Sequence, residues 1–115
     1  MPALNIDIIF DAAIRIHLLT ERSVTLNISR EAIRIKFPTT RVLADFLGVP
    51  HYYVLPYFAM MEEAQLVTRA ERIGIFTTMA GTEKYLDLLS EKYRDEGILI
   101  FGPDLYREMQ KRASQ

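Results

Sequence analysis

The twenty residues from Thr39 to Phe58, TTRVLADFLGVPHYYVLPYF, constrain this chain more than any other stretch. Ala44 is followed four residues later by Gly48 and six after that by Val54, with Leu43, Leu47 and Val49 apolar around them. A small residue lets two helices cross closely, a glycine accepts the positive φ of a tight turn, and a buried aliphatic residue anchors the second helix on the first. The spacing therefore predicts two helices set at a steep angle. Thr39 or Thr40 caps the first, and Gly48 closes it in the left-handed region. Pro50 then stands at the first position of the second helix, where its missing N–H costs nothing. That helix continues to about Ala64, with Val54, Phe58 and Met61 inward. Pro56 is expected to kink or tighten its first turns, because it removes the bond back to the carbonyl of Tyr52.

Upstream, Asn5 is positioned as an N-cap for a helix ending near Thr20, along which Ile6, Ile9, Phe10, Ala13, Ile16 and Leu19 or Thr20 recur at helical spacing. Ile8, Ala12, Ile14 and Leu18 add apolar surface off that stripe. Such a helix is either deeply buried at the centre of the fold or a dimer seam. Val24, Leu26 and Ile28 alternate with polar residues as a short extended piece does. Ile33-Arg34-Ile35-Lys36-Phe37 alternates apolar and basic up to Pro38, a half-buried strand with Arg34 and Lys36 outward, or else a helical turn from Ser29.

Downstream, residues 65–69 and 73–78 are two β-rich runs around Ala70-Glu71-Arg72, the pattern of a hairpin. Thr78 or a neighbour starts a further helix carrying Tyr85, Leu88, Leu89 and Tyr93 on one side and ending around Asp95-Glu96-Gly97. Ile98-Leu99-Ile100-Phe101 reads as a short strand. Gly102-Pro103 then turns the chain into a last amphipathic helix, Asp104 to about Lys111. An apolar run of this kind has to pack on the domain or on a partner. The fold class is thus mainly α with a small β-hairpin (α+β), as a single domain over 1–115 with its core at about 5–95 and an extension at about 96–115.

Composition narrows the chemistry. At 115 residues, half of them apolar, the chain suits one domain with its own core. It has no cysteine, which excludes disulfides, a thiolate nucleophile and Cys-ligated metals, and only two histidines. Lysine and arginine number 14 against 15 acidic residues, so any attraction to nucleic acid has to be local. The one basic window is Arg30, Arg34, Lys36 and Arg41 against Glu31, readable as a solvated strand face or as phosphate contacts. The apolar run Ile6 to Phe10 is too short to span a bilayer, which predicts a soluble, cytoplasmic protein.

The order helix, short strand, helix, turn, helix, hairpin, helix resembles a winged helix-turn-helix. The passage from Leu66-Val67-Thr68-Arg69 through Thr77-Thr78-Met79-Ala80-Gly81 is similar to the wing-to-helix segment of small one-domain archaeal and bacterial transcriptional regulators. The resemblance covers about residues 5–95. It implies a helix-turn-helix at about 39–64, a β-wing at about 65–78, and an extra C-terminal strand and helix. It also implies double-stranded DNA as partner, a homodimer paired through the first helix and/or the C-terminal extension, and no cofactor or metal.

In DNA-binding members the second helix of the motif enters the major groove, which places Pro50, His51, Tyr52, Leu55 and Pro56 there. The implied DNA-binding residues are Arg34, Lys36, Thr40, Arg41, His51, Tyr52, Tyr53, Leu55, Arg69 and Arg72. The helix departs from the usual pattern in carrying no Arg, Lys, Asn or Gln before Gln65, so phosphate contacts and DNA shape would supply most of the preference. The alternative is a winged-helix module that docks a protein.

Catalytic chemistry has little support. Glu62-Glu63 and Asp95-Glu96 are adjacent and do not converge, and Ser23, Ser29, Ser90 and Ser114 lack a base arranged by sequence. The expectation is no enzyme. His17 reads as a packing or hydrogen-bonding histidine, His51 as the functional one, Tyr52 and Tyr53 as exposed, and Met60-Met61 as gap fillers.

Overall fold

The helix at the start of the chain is the one the rest of the fold wraps. In the computed structural model, which describes residues 3–114, the Asn5 side chain accepts the Ile8 N–H at 2.8 Å and opens α1, Ile6–Arg15. The helix runs on through a wider, π-helical segment, Ile16–Glu21, and stops where Arg22 turns left-handed at φ 54°. Ile9, Phe10, Ala12, Ala13, Ile14, Ile16 and Leu18 are all buried against α2 (Thr40–Leu47), α3 (Leu55–Glu63) and α4 (Met79–Lys92) or the segments beside them. The surplus of apolar surface on α1 is therefore absorbed within the chain, leaving Leu19 as its exposed large aliphatic residue.

Two antiparallel hairpins accompany the helices, where the sequence suggested one. Leu26–Ile28 (β1) pairs with Ile33–Ile35 (β2), Leu26 opposite Ile35. Val67–Ala70 (β3) pairs with Gly74–Thr77 (β4), Val67 opposite Thr77. In β2, Ile33 and Ile35 are buried and Arg34 is exposed, as its alternation requires. The hairpins meet where Lys36 lies opposite Phe76, and the Phe37 N–H donates to the Ile75 carbonyl at 2.8 Å.

Two buried threonines complete that junction. The Ile35 N–H donates to Thr77 Oγ1 at 2.8 Å, Thr77 Oγ1 donates to Thr82 Oγ1 at 2.7 Å, and Thr82 Oγ1 donates to the Ile33 carbonyl at 2.7 Å. The carbonyl can only accept and each hydroxyl has one proton, so the direction of the relay is set at both ends. It satisfies the Ile35 N–H and the Ile33 carbonyl, which turn away from β1. Nearby, the rings of Phe10, Phe37 and Phe58 meet edge to face at centroid distances of 5.1 and 5.8 Å, tying α1, the chain after β2, and α3 into one core.

The C-terminal part differs from its reading. α4 begins as expected at the Thr78 cap but ends at Lys92, where Tyr93 leaves helical geometry. The run Ile98 to Phe101 is the end of a helix, α5 (Arg94–Phe101), and no strand forms there. A lone strand would need a neighbour for its backbone groups, whereas the helix satisfies them locally, for example from the Gly102 N–H to the Ile98 carbonyl at 2.8 Å. Ile98, Ile100 and Phe101 pack on the core, and Leu99 remains 71% exposed. The last helix, α6 (Pro103–Ala113), buries Tyr106, Met109 and Ala113 against the domain. None of the described helices is long and apolar enough to cross a membrane.

Candidate nucleic-acid interface

The cap of α2 is Thr39, whose Oγ1 accepts the Val42 N–H at 3.2 Å. Its end is Gly48, left-handed at φ 69°, after which the Val49 N–H returns to the Ala44 carbonyl at 3.0 Å. Ala44 and Val54 are 1% and 0% exposed, as the small contact and the anchor should be. The entry to the next helix is tighter than the sequence reading has it. Pro50 is extended (φ −60°, ψ 146°) and precedes the helical residues, and His51–Tyr53 form a 3₁₀ turn before α3 begins at Leu55. Pro56 then falls in the first turn of α3, where a missing N–H leaves no hydrogen bond broken, so the helix needs no kink.

Along the 3₁₀ turn and α3, Val54, Phe58 and Met61 form the buried side, and Tyr52, Tyr53, Leu55 and Met60 are exposed. Tyr52 is the most open of them at 66%. Its ring stands edge-on to Tyr53 at 4.8 Å. His51 is half-buried and shares a hydrogen bond of 2.6 Å between its Nε2 and Thr40 Oγ1, which ties the start of α2 to the turn before α3. Two residues expected to contact a ligand separately are thus one unit. Tyr52→Ala is expected to leave the melting temperature nearly unchanged, whereas Val54→Ala should cost on the order of 1–3 kcal/mol of stability. Equal losses in thermal denaturation would contradict this division of the helix.

The basic residues divide into free and engaged. Arg34 and Arg41 are exposed on β2 and α2, and Arg72 sits left-handed (φ 66°) at the tip of the β3–β4 hairpin. Lys36 lies along that hairpin, and a Cβ built on Gly74 would come within 3.2 Å of Lys36 Cε, so the glycine leaves room for the lysine stem. Arg69 is different, because its Nε donates to Glu62 Oε1 of α3 at 2.9 Å. The wing arginine nearest α3 is already paired. Nothing in the sequence announces that contact, which crosses the turn between a helix and a strand.

A second feature comes from the first residues of the described chain. Ala3 and Leu4 lie beside Tyr52, Tyr53, Pro56, Tyr57 and Met60 and with them line an open groove of about 720 Å³ without a charged residue. The sequence marks the tyrosines but not the N-terminal wall.

A buried polar pair joins the π-helical segment to α4. His17, 4% exposed, is 2.7 Å through its Nδ1 from the hydroxyl of Tyr85, which is itself fully buried. Burial drives the tyrosine pKa far above its ordinary value, so the hydroxyl keeps its proton. The bond joins this hydroxyl to a neutral imidazole. Desolvation lowers its pKa to about 4, against a smaller opposing effect of a hydrogen bond to the Lys36 backbone. His17 is accordingly a hydrogen-bonded core residue.

Comparison with protein-family models, with curated proteins and with solved structures gives no match to this chain.

Proposed function

We propose that the chain is a DNA-binding transcriptional regulator of the winged helix-turn-helix kind, which binds double-stranded DNA in the cytoplasm without a cofactor and catalyses nothing. The observation that carries this reading is the placement of α3 and the 3₁₀ turn before it: anchored through Val54 and Phe58, they turn Tyr52 and Leu55 outward beside the β3–β4 hairpin, with His51 half-buried against Thr40 of α2. Arg34, Arg41, Lys36 and Arg72 supply phosphate contacts around it, while the uncharged flank of α3 meets the groove by shape and by apolar contact with thymine methyl groups. The Thr40–His51 bond holds that flank in place.

One observation favours a second reading, docking of a protein on α3: the groove beside the helix is apolar and its lining carries no charge. Salt separates the two. If DNA is the partner, anisotropy titrations with mixed genomic fragments are expected to weaken by roughly tenfold or more between about 50 and 200 mM salt, and Arg34→Ala should reduce the salt slope by about one. Retention of binding at high salt, with loss only on Tyr52→Ala or Leu55→Ala, would overturn the DNA reading in favour of a protein.

A further inference from the structure

The turn from α3 into β3 is fixed at several points. The Gln65 N–H donates to the Glu62 carbonyl at 3.0 Å and the Leu66 N–H to the Met61 carbonyl at 2.9 Å. Gln65 itself is left-handed at φ 60°, and its carbonyl accepts the Thr78 hydroxyl at 2.6 Å. β3 therefore returns beside α3, and the bond from Arg69 Nε to Glu62 Oε1 spans the two elements. It uses one of the five N–H donors of the guanidinium. Neither Nη of Arg69 makes a hydrogen bond among the described residues, and the side chain is 63% exposed.

On α3, Leu55, Ala59 and Glu62 follow one another at intervals of four and three, which sets them in one row along the helix. Leu55 and Ala59 are exposed and Glu62 is half-buried. Glu62 lies about 10 Å beyond Leu55 along the axis, so its pair with Arg69 closes the far end of the flank assigned to DNA. Neither Leu55 nor Ala59 can donate a hydrogen bond to a base edge. Arg69 brings donors to the row from the neighbouring strand.

We propose that Glu62 is a positioning residue and Arg69 a base-reading one: Glu62 holds the guanidinium by its Nε, so that Nη1 and Nη2 present a fixed fork to O6 and N7 of a guanine in the major groove. The assignment rests on the DNA reading above. Charge selects the guanine edge over a phosphate. The carboxylate cancels the charge of the guanidinium, so the pair has little net attraction for a phosphate, and a phosphate oxygen beside Glu62 meets a like charge. The guanine edge is neutral and offers two acceptors that match the fork. Phosphates fall instead to Arg34, Lys36, Arg41 and Arg72, none of which has an ion-pair partner among the described residues.

Duplexes selected from a random-sequence pool by the native full chain provide the probe, with an unselected duplex as reference. Arg69→Lys keeps the charge but loses the fork. It is expected to lower the ratio of selected to unselected affinity by about tenfold or more while the salt slope is retained. When the guanines of the selected duplex are replaced one at a time by an analogue with carbon in place of N7, one replacement should weaken the native chain and leave Arg69→Lys as it was. Glu62→Ala should lower the affinity ratio several-fold, and Glu62→Gln, whose amide oxygen still accepts from Nε, should restore part of it. Glu71→Ala removes a wing carboxylate that pairs with no described cation, so it should move both affinities alike. An ion pair this exposed adds little to stability, and the variants should melt with the native chain.

An unchanged ratio in Arg69→Lys would overturn the base-reading role. Arg69→Ala weakening both duplexes alike, with a salt slope smaller by about one, would overturn it in favour of a phosphate contact. An unchanged ratio in Glu62→Ala would overturn the positioning role. Selection that enriches no sequence, while duplex binding still weakens with salt, would overturn the inference and leave the DNA reading standing. Absence of binding to any duplex would overturn both.

Discussion

Gly81→Ala is expected to cost roughly 3 kcal/mol or more, enough to unfold a domain of ordinary marginal stability. A Cβ on Gly81 would lie 1.9 Å from the Leu66 carbonyl oxygen and 2.9 Å from its carbon. That carbonyl cannot swing aside, because it accepts the Thr78 N–H at 3.0 Å and the chain on either side is held by the Thr78 hydroxyl. The hydroxyl donates to the Gln65 carbonyl at 2.6 Å and accepts the Gly81 N–H at 3.1 Å. The clash is with backbone on a short tether, so relief requires α4 to retreat from the start of β3.

Gly97→Ala is the informative control. Its Cβ would meet Leu89 Cδ2 at 2.4 Å, but a leucine can change rotamer, and the cost should stay near 1–3 kcal/mol. Urea denaturation of the two variants measures the difference. A Gly81→Ala protein as stable as the native chain would show that the junction of β3 and α4 is looser than described.

Acid is expected to remove on the order of 3 kcal/mol of stability through His17 alone. Burial lowers its pKa from 6.5 to about 4 in the folded state, so between these values the unfolded chain binds a proton that the folded chain does not. Stability therefore rises with pH across this window. The contribution is complete above about pH 6.5 and is lost progressively as the pH falls toward 4.

Replacing His17 by Gln removes the titration but keeps a hydrogen-bonding side chain beside Tyr85. His17→Gln should be less stable at neutral pH, by about 1–2 kcal/mol, and its stability should change less than the native chain's between pH 6.5 and 4.5. Carboxylates that titrate near the lower limit are common to both proteins and cancel in the comparison. Identical pH slopes would refute the buried neutral state of His17.

Much of the fold was legible because local stereochemistry and periodicity carry it. Asn5, Thr39 and Thr78 cap helices where side-chain acceptors three residues before an N–H must act. Gly48 takes the left-handed turn that its neighbours avoid, and Ile33-Arg34-Ile35 alternates in burial as in sequence. The exposed aromatic flank of α3 was legible for the same reason, since residues opposite Val54, Phe58 and Met61 on a helix must face outward.

What could not be read has one origin. Ile98-Leu99-Ile100-Phe101 looks like a strand by residue type, yet a strand exists only where another strand has an edge to offer, and a helix is complete in itself. Pro56 looked like a helix interruption only as long as the 3₁₀ turn at His51–Tyr53 was taken for the start of α3. In the candidate site, the tyrosines and arginines are visible in the chain, but the Glu62–Arg69 pair, the Thr40–His51 bond and the wall made by Ala3 and Leu4 each join residues from different elements.

The sequence by itself determined where helices begin, which turn needs a glycine, and which side of each helix is apolar, because those depend on interactions over three or four residues. Only the tertiary structure decided which cations remain free, that His17 stays neutral, that Gly81 has no room for a methyl group, and that Glu62 holds Arg69. Those are properties of distances between segments far apart in the chain, and a distance exists only once the chain has closed on itself.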